Sequence, residues 1–144
     1  MDEPPIIIPE PNPFWKKNAE KLVGESISTI EDVAKELIVV TSLLEGLYFH
    51  AITFSDLRTP LSGPAWVYLA PIALWLVSLF FAIWTLSPKI YGININSTRS
   101  SKDTFEEIAS KKHTLLMVSE AFLIASFLPL LVAVYYYLTY KPPA

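Results

Sequence analysis

"AWVYLAPIALWLVSLFFAIWTL", residues 65 to 86, decides the fold. No charged residue occurs between Arg58 and Lys89, and at ~1.5 Å per residue the run is long enough to cross a ~30 Å hydrocarbon core. A surface helix of a soluble bundle keeps a charged face, so this run makes a soluble bundle improbable and predicts a membrane-spanning helix.

Two further spans follow from the same reasoning. Between Lys112 and Lys141 the only acid is Glu120, and "LLMVSEAFLIASFLPLLVAVYYYL" is a second apolar run. "LIVVTSLLEGLYFHAITF", residues 37 to 54, is a weaker third, interrupted by Glu45 and His50. The predicted fold class is therefore an all-α, multi-pass integral membrane protein with spans at about 37–55, 65–87 and 114–138 and a connecting loop at 88–112. Composition agrees: 52% of the 144 residues are hydrophobic and the mean hydropathy is +0.40.

Orientation is read from the distribution of Lys and Arg. With three spans, the N-terminal segment and the 88–112 loop share one side and hold Lys16, Lys17, Lys21, Lys35, Lys89, Arg99, Lys102, Lys111 and Lys112, whereas the other side has Arg58 and Lys141. This asymmetry predicts a cytoplasmic N-terminus, an external C-terminus and, as the expected location, the plasma membrane. Trp66, Tyr68, Tyr135, Tyr136, Tyr137 and Tyr140 then suit the outer interface and Trp84 the inner one. The sequon Asn96-Ser97-Thr98 falls on the cytoplasmic side, where it stays unmodified.

Outside the spans, residues 1–27 read as a proline-rich arm followed by a short amphipathic interfacial helix. Asn12 can cap that helix with Pro13 at its first position, and Phe14, Trp15, Ala19, Leu22 and Val23 form an apolar face suited to the membrane surface. Gly24 is expected to end it, and Ser28 with Glu31 forms a capping-box pattern that would start a second helix leading into the first span. The membrane domain covers 28–141, with a tail at 142–144. "KDTFEEIASKK" reads as a helix continuous with the third span, which would project into the cytoplasm.

Several function classes are excluded or disfavoured. Cysteine is absent, which removes disulfides, thiolate metal sites and cysteine nucleophiles. A net charge of −3 with no basic stripe argues against nucleic acid as a partner. There is no Gly-rich phosphate loop, HExxH or nucleophile elbow, and the two histidines lie far apart in depth, so neither catalysis nor haem ligation is expected and no cofactor is predicted.

The ionisable groups inside the spans form the candidate site. At ~100° per residue, Ser42, Glu45, Gly46, Phe49, His50 and Thr53 share one sector, which is expected to face protein, while Leu43, Leu44, Leu47, Ala51 and Phe54 face lipid. Glu45 and Glu120 are expected at similar depth. Facing each other they could share a proton or hold a cation, with His50 farther along the path. The plainer reading is helix contact, with Ser42-x-x-x-Gly46 and Ala121-x-x-x-Ala125 as small-residue patterns that let backbones approach.

The functional expectation is a non-catalytic accessory subunit whose partners are the lipid bilayer and larger membrane subunits. The alternative is a self-associating small channel or membrane-perturbing protein lined by Glu45, His50 and Glu120.

Overall fold

The computed structural model describes residues 13–54, 64–87 and 98–139. It contains three α-helices: α1 (Pro13–Phe54), α2 (Ala65–Leu86) and α3 (Thr98–Thr139). All three are long and apolar enough to cross a membrane. The chain is thus all-helical and compatible with a multi-pass integral membrane protein. The proline-rich arm, the Asn12 cap, the 142–144 tail, Tyr140 and most of the 88–112 connector lie outside the described residues.

Pro13 opens α1 as expected, but the separate interfacial helix does not exist as a unit: α1 runs unbroken for 42 residues through Gly24 and Ser28. One helix-interior glycine costs only about 1 kcal/mol relative to alanine, too little to stop a helix whose neighbours continue the hydrogen-bond ladder. The flanking hydroxyls serve that ladder: Ser26 Oγ donates to the Val23 carbonyl and Thr29 Oγ1 to the Glu25 carbonyl, both at 2.9 Å. The reading of "KDTFEEIASKK" as continuous with the third span holds, since α3 is also 42 residues long.

Packing follows a 3-4 alternation. On α2 the buried residues Tyr68, Pro71, Trp75, Ser78, Ala82 and Thr85 repeat every three and four positions, and on α3 Ser119, Ser126 and Ala133 recur every seven. On α1 the buried Ala34 and Thr41 are continued by the half-buried Tyr48. This is the seam period of supercoiled helices. Small residues, Ser78, Ala82, Ser119, Ser126 and Ala133, take many of its positions, which brings backbones close where apolar burial gives no advantage over lipid. The α2–α3 contact is the most extensive and α1–α3 the least. Both internal prolines, Pro71 and Pro129, are accommodated without ending their helices.

Register is fixed by a few contacts. Lys112 Nζ on α3 donates to Glu31 on α1 at 2.6 Å and to the Thr85 carbonyl on α2 at 2.8 Å. Seven residues along α3 and seven back along α2, Ser119 and Ser78 exchange hydrogen bonds. Seventeen residues along α1 and seventeen back along α2, Tyr48 OH donates to the Tyr68 carbonyl at 3.1 Å. The helices therefore run α1 up, α2 down and α3 up, with a lysine clasp at one end and tyrosines at the other. Because α2 ends beside the clasp, the first half of α1 and the first turns of α3 project past it. At ~1.5 Å per residue the α1 extension is ~27 Å.

The projecting parts carry the charge. Lys21–Glu25 and Lys102–Glu106 pair one helical turn apart and Glu107 pairs with Lys111, while Asp32–Lys35 pair just beyond the clasp on the bundle side. Such ladders belong to helix faces bathed in water.

Candidate functional site

Three layers of polar groups cross the bundle. The clasp is first. Lys112 is 12% exposed and joins all three helices, neutralising Glu31 and satisfying a carbonyl in the last turn of α2, where no intrahelical N–H is available. A cation there also opposes the negative end of the helix dipole.

The second layer is Ser78 with Ser119. Each hydroxyl donates to the other residue's carbonyl at 2.8 Å, and the two Oγ atoms stand 3.1 Å apart. Both serines are fully buried. Only a side chain as small as serine permits this approach while leaving no buried hydroxyl unpaired.

Trp75 and Tyr48 form the third layer, their rings meeting edge to face at 5.4 Å. Above them, Tyr48, Ile52, Tyr68, Leu130, Ala133 and Tyr137 are among the residues lining an apolar cavity of about 250 Å³. Its walls offer shape and a few hydroxyls, but no charged group.

The sequence-predicted residues sit differently from expectation. Glu45 is half-buried on the flank of the seam, but Ser42, Gly46, Phe49, His50 and Thr53 are exposed in the single chain. The side of α1 turned inward carries Thr41, Leu44, Glu45, Tyr48 and Ile52 instead. Tyr48 packs edge-on against Trp75 of α2 and its hydroxyl finds an acceptor on Tyr68, while the outer stripe has little surface to bury. Leu43, Leu47, Ala51 and Phe54 are exposed as expected. His50 lies against the Phe54 ring, with centroids 4.4 Å apart.

Glu45 and Glu120 are not level. Glu45 is 14 residues beyond Glu31, and Glu120 is 8 beyond Lys112, which is ~21 Å and ~12 Å above the clasp by helical rise. A separation of ~9 Å in depth prevents a shared proton. Glu120 is half-buried, and neither carboxyl makes a hydrogen bond or ion pair with another described residue. Among the described residues no group of His, Asp and Glu is arranged to hold a metal ion.

Both small-residue patterns are unused within the chain. Ser42, Gly46, Ala121 and Ala125 are all exposed, and a Cβ added at Gly46 would meet nothing within 4 Å. Phe14, Trp66 and Trp84 are exposed, and the Trp15 side chain lies outside the described residues. Comparisons with protein-family models, curated proteins and solved structures found no match. The chain's own residues therefore carry the functional argument.

Sequence reasoning missed the seam residues Ser78, Ser119, Ser126, Thr41 and Trp75. The signal was present as serines seven apart on α3, with Ser78 and Thr85 seven apart on α2. Ser126 Oγ donates to the Leu123 carbonyl at 2.5 Å within its own helix.

Proposed function

We propose that this chain is a non-catalytic accessory subunit that packs its spans against larger membrane subunits. One observation carries the reading: Ser42, Gly46, His50 and Thr53 form a polar and small-residue stripe on α1, exposed at the depth of α2. Facing lipid, such a stripe is costly and gains nothing; facing another helix, it allows close approach and hydrogen bonding. Ala121 and Ala125 supply a second such surface on α3.

In this reading the bundle lies in the plasma membrane with the clasp end and the N-terminus in the cytoplasm, as the Lys and Arg distribution favours. The projecting part of α1 then clamps the cytoplasmic face of the partner, with Phe14 among its contacts. This replaces the surface-lying helix, because a helix continuous with a span leaves the membrane plane.

Self-association is the second reading, favoured by the same outward small residues. A polar path containing Glu45, His50 and Glu120 could then form only between copies.

Native mass spectrometry of the protein, released in mild detergent from its own membrane, tests both. Co-release with larger, different chains is expected. Recovery solely as a homo-oligomer would transfer the argument to self-association, and recovery solely as a monomer would refute both.

A further inference from the structure

Thr41 and Trp75 lie on different helices but at one level. Thr41 is ten residues along α1 from Glu31, and Trp75 is ten residues back along α2 from Thr85, the two positions joined through Lys112. The Tyr48–Tyr68 hydrogen bond sets the same register from the other end. Both side chains are 1% exposed, and both leave a buried polar atom, Thr41 Oγ1 and Trp75 Nε1, without a hydrogen-bond partner.

The threonine is informative by contrast. Thr29, Thr85, Thr114 and Thr139 each donate to the carbonyl four residues back on their own helix, at 2.8–3.0 Å. Thr41 does not, although the same acceptor position exists for it at Leu37. Its hydroxyl is therefore left for another partner in the buried layer that it shares, by register, with Trp75. An indole N–H is a donor only, and a hydroxyl both donates and accepts. A water molecule between the two would satisfy both: one lone pair would take the indole proton, and the threonine hydroxyl would supply a second bond.

We propose that the centre of the bundle binds a water molecule between the Thr41 hydroxyl and the Trp75 indole N–H. Buried waters need two to four polar partners. Glu45, one turn farther along α1, half-buried and without a hydrogen bond to another described residue, provides the next acceptor. The layer sits one turn from the Ser78–Ser119 pair, so the water extends the polar seam from the serines toward Tyr48. This site stands on intrachain geometry and is independent of what the chain assembles with.

The test is ¹⁵N-indole NMR of the full chain in lipid nanodiscs, with the Trp75 signal assigned by its loss in Trp75→Phe. The expected result is a direct dipolar cross-peak between the Trp75 indole proton and long-lived water. That cross-peak should be lost in Thr41→Val, with an upfield shift of the indole proton, and retained in Thr41→Ser. A wild-type indole proton at a hydrogen-bonded shift without water contact would mean a direct bond to Thr41 and overturn the proposal. An upfield indole proton without water contact would overturn it too. The wild-type spectrum alone decides the matter if a variant does not fold.

Discussion

Lys112 Nζ stands 2.6 Å from the Glu31 carboxylate, across 81 residues of sequence, and closes one end of the three-helix bundle. The same ammonium holds the Thr85 carbonyl at 2.8 Å, so a single side chain joins α1, α2 and α3. Lys112→Met removes the ion pair and the α2 carbonyl's partner together and is expected to destabilise the bundle by about 1–3 kcal/mol. Glu31→Gln should cost less, because the carbonyl contact survives. A double-mutant cycle, read by unfolding in mixed micelles, should give a coupling of about 0.5 kcal/mol or more; strict additivity would show that the Lys112–Glu31 pair carries no energy.

The Ser78–Ser119 contact depends on closeness more than on hydrogen bonding. Interhelical hydrogen bonds in membranes average about 0.6 kcal/mol, so Ser78→Ala should have a small effect. Ser78→Leu drives bulk into a fully buried position and is expected to cost about 1–3 kcal/mol. Equal effects of the two substitutions on unfolding would contradict this ranking.

The absence of cysteine makes cross-linking clean. Ser78→Cys with Ser119→Cys should oxidise readily to an intrachain disulfide. Glu45→Cys with Glu120→Cys should not, because their ~9 Å offset in depth exceeds the Cα separation of about 7 Å that a disulfide tolerates. Efficient bridging of the second pair, seen as a mobility shift on non-reducing gels, would restore the idea of facing carboxylates.

Gly46 separates folding from assembly. Since open space surrounds it within the chain, Gly46→Leu should leave the thermal unfolding of the isolated bundle unchanged or slightly higher, given leucine's greater helix propensity. The same substitution should abolish co-purification with partner chains. Retained association would show that this stripe faces lipid in the complex.

On the projecting part of α3, the Lys111 ammonium hydrogen-bonded to Glu107 holds its carboxyl below the usual glutamate range. A lowered folded-state pKa contributes stability that is present above the unfolded value and lost as pH falls through the folded one. Hydrogen exchange at the amides around Glu107–Lys111 should therefore show more opening in acid than near neutrality, beyond the pH dependence of intrinsic exchange. In Glu107→Gln that difference should disappear. The pair is fully solvated, so the effect should be local and weakened by salt.

The spans were legible in the sequence because the bilayer imposes a one-dimensional rule. A long uncharged run between Arg58 and Lys89 has few other solutions, and the Lys and Glu spacing of residues 102–112 announced a solvated helix feeding α3. Gly24 misled because a C-cap glycine and a tolerated interior glycine look alike until the hydrogen bonds on either side are known. The facing of α1 was only partly legible for another reason. Polarity suggested that Ser42, Gly46 and His50 face protein without saying whose, and within the chain the inward side went to Thr41 and Tyr48.

The sequence by itself determined that the chain is helical, how many membrane-length apolar segments it has, and where charge stops, because these follow from hydropathy, length and local propensity along a single strand of residues. The tertiary structure alone decided register and rotation: that Lys112 meets Glu31, that Ser78 meets Ser119, and that Glu45 and Glu120 stand at different depths. Those choices depend on how surfaces from distant parts of the chain fit. In a bilayer, where apolar burial does not distinguish one helix face from another, shape and a few interhelical hydrogen bonds settle them.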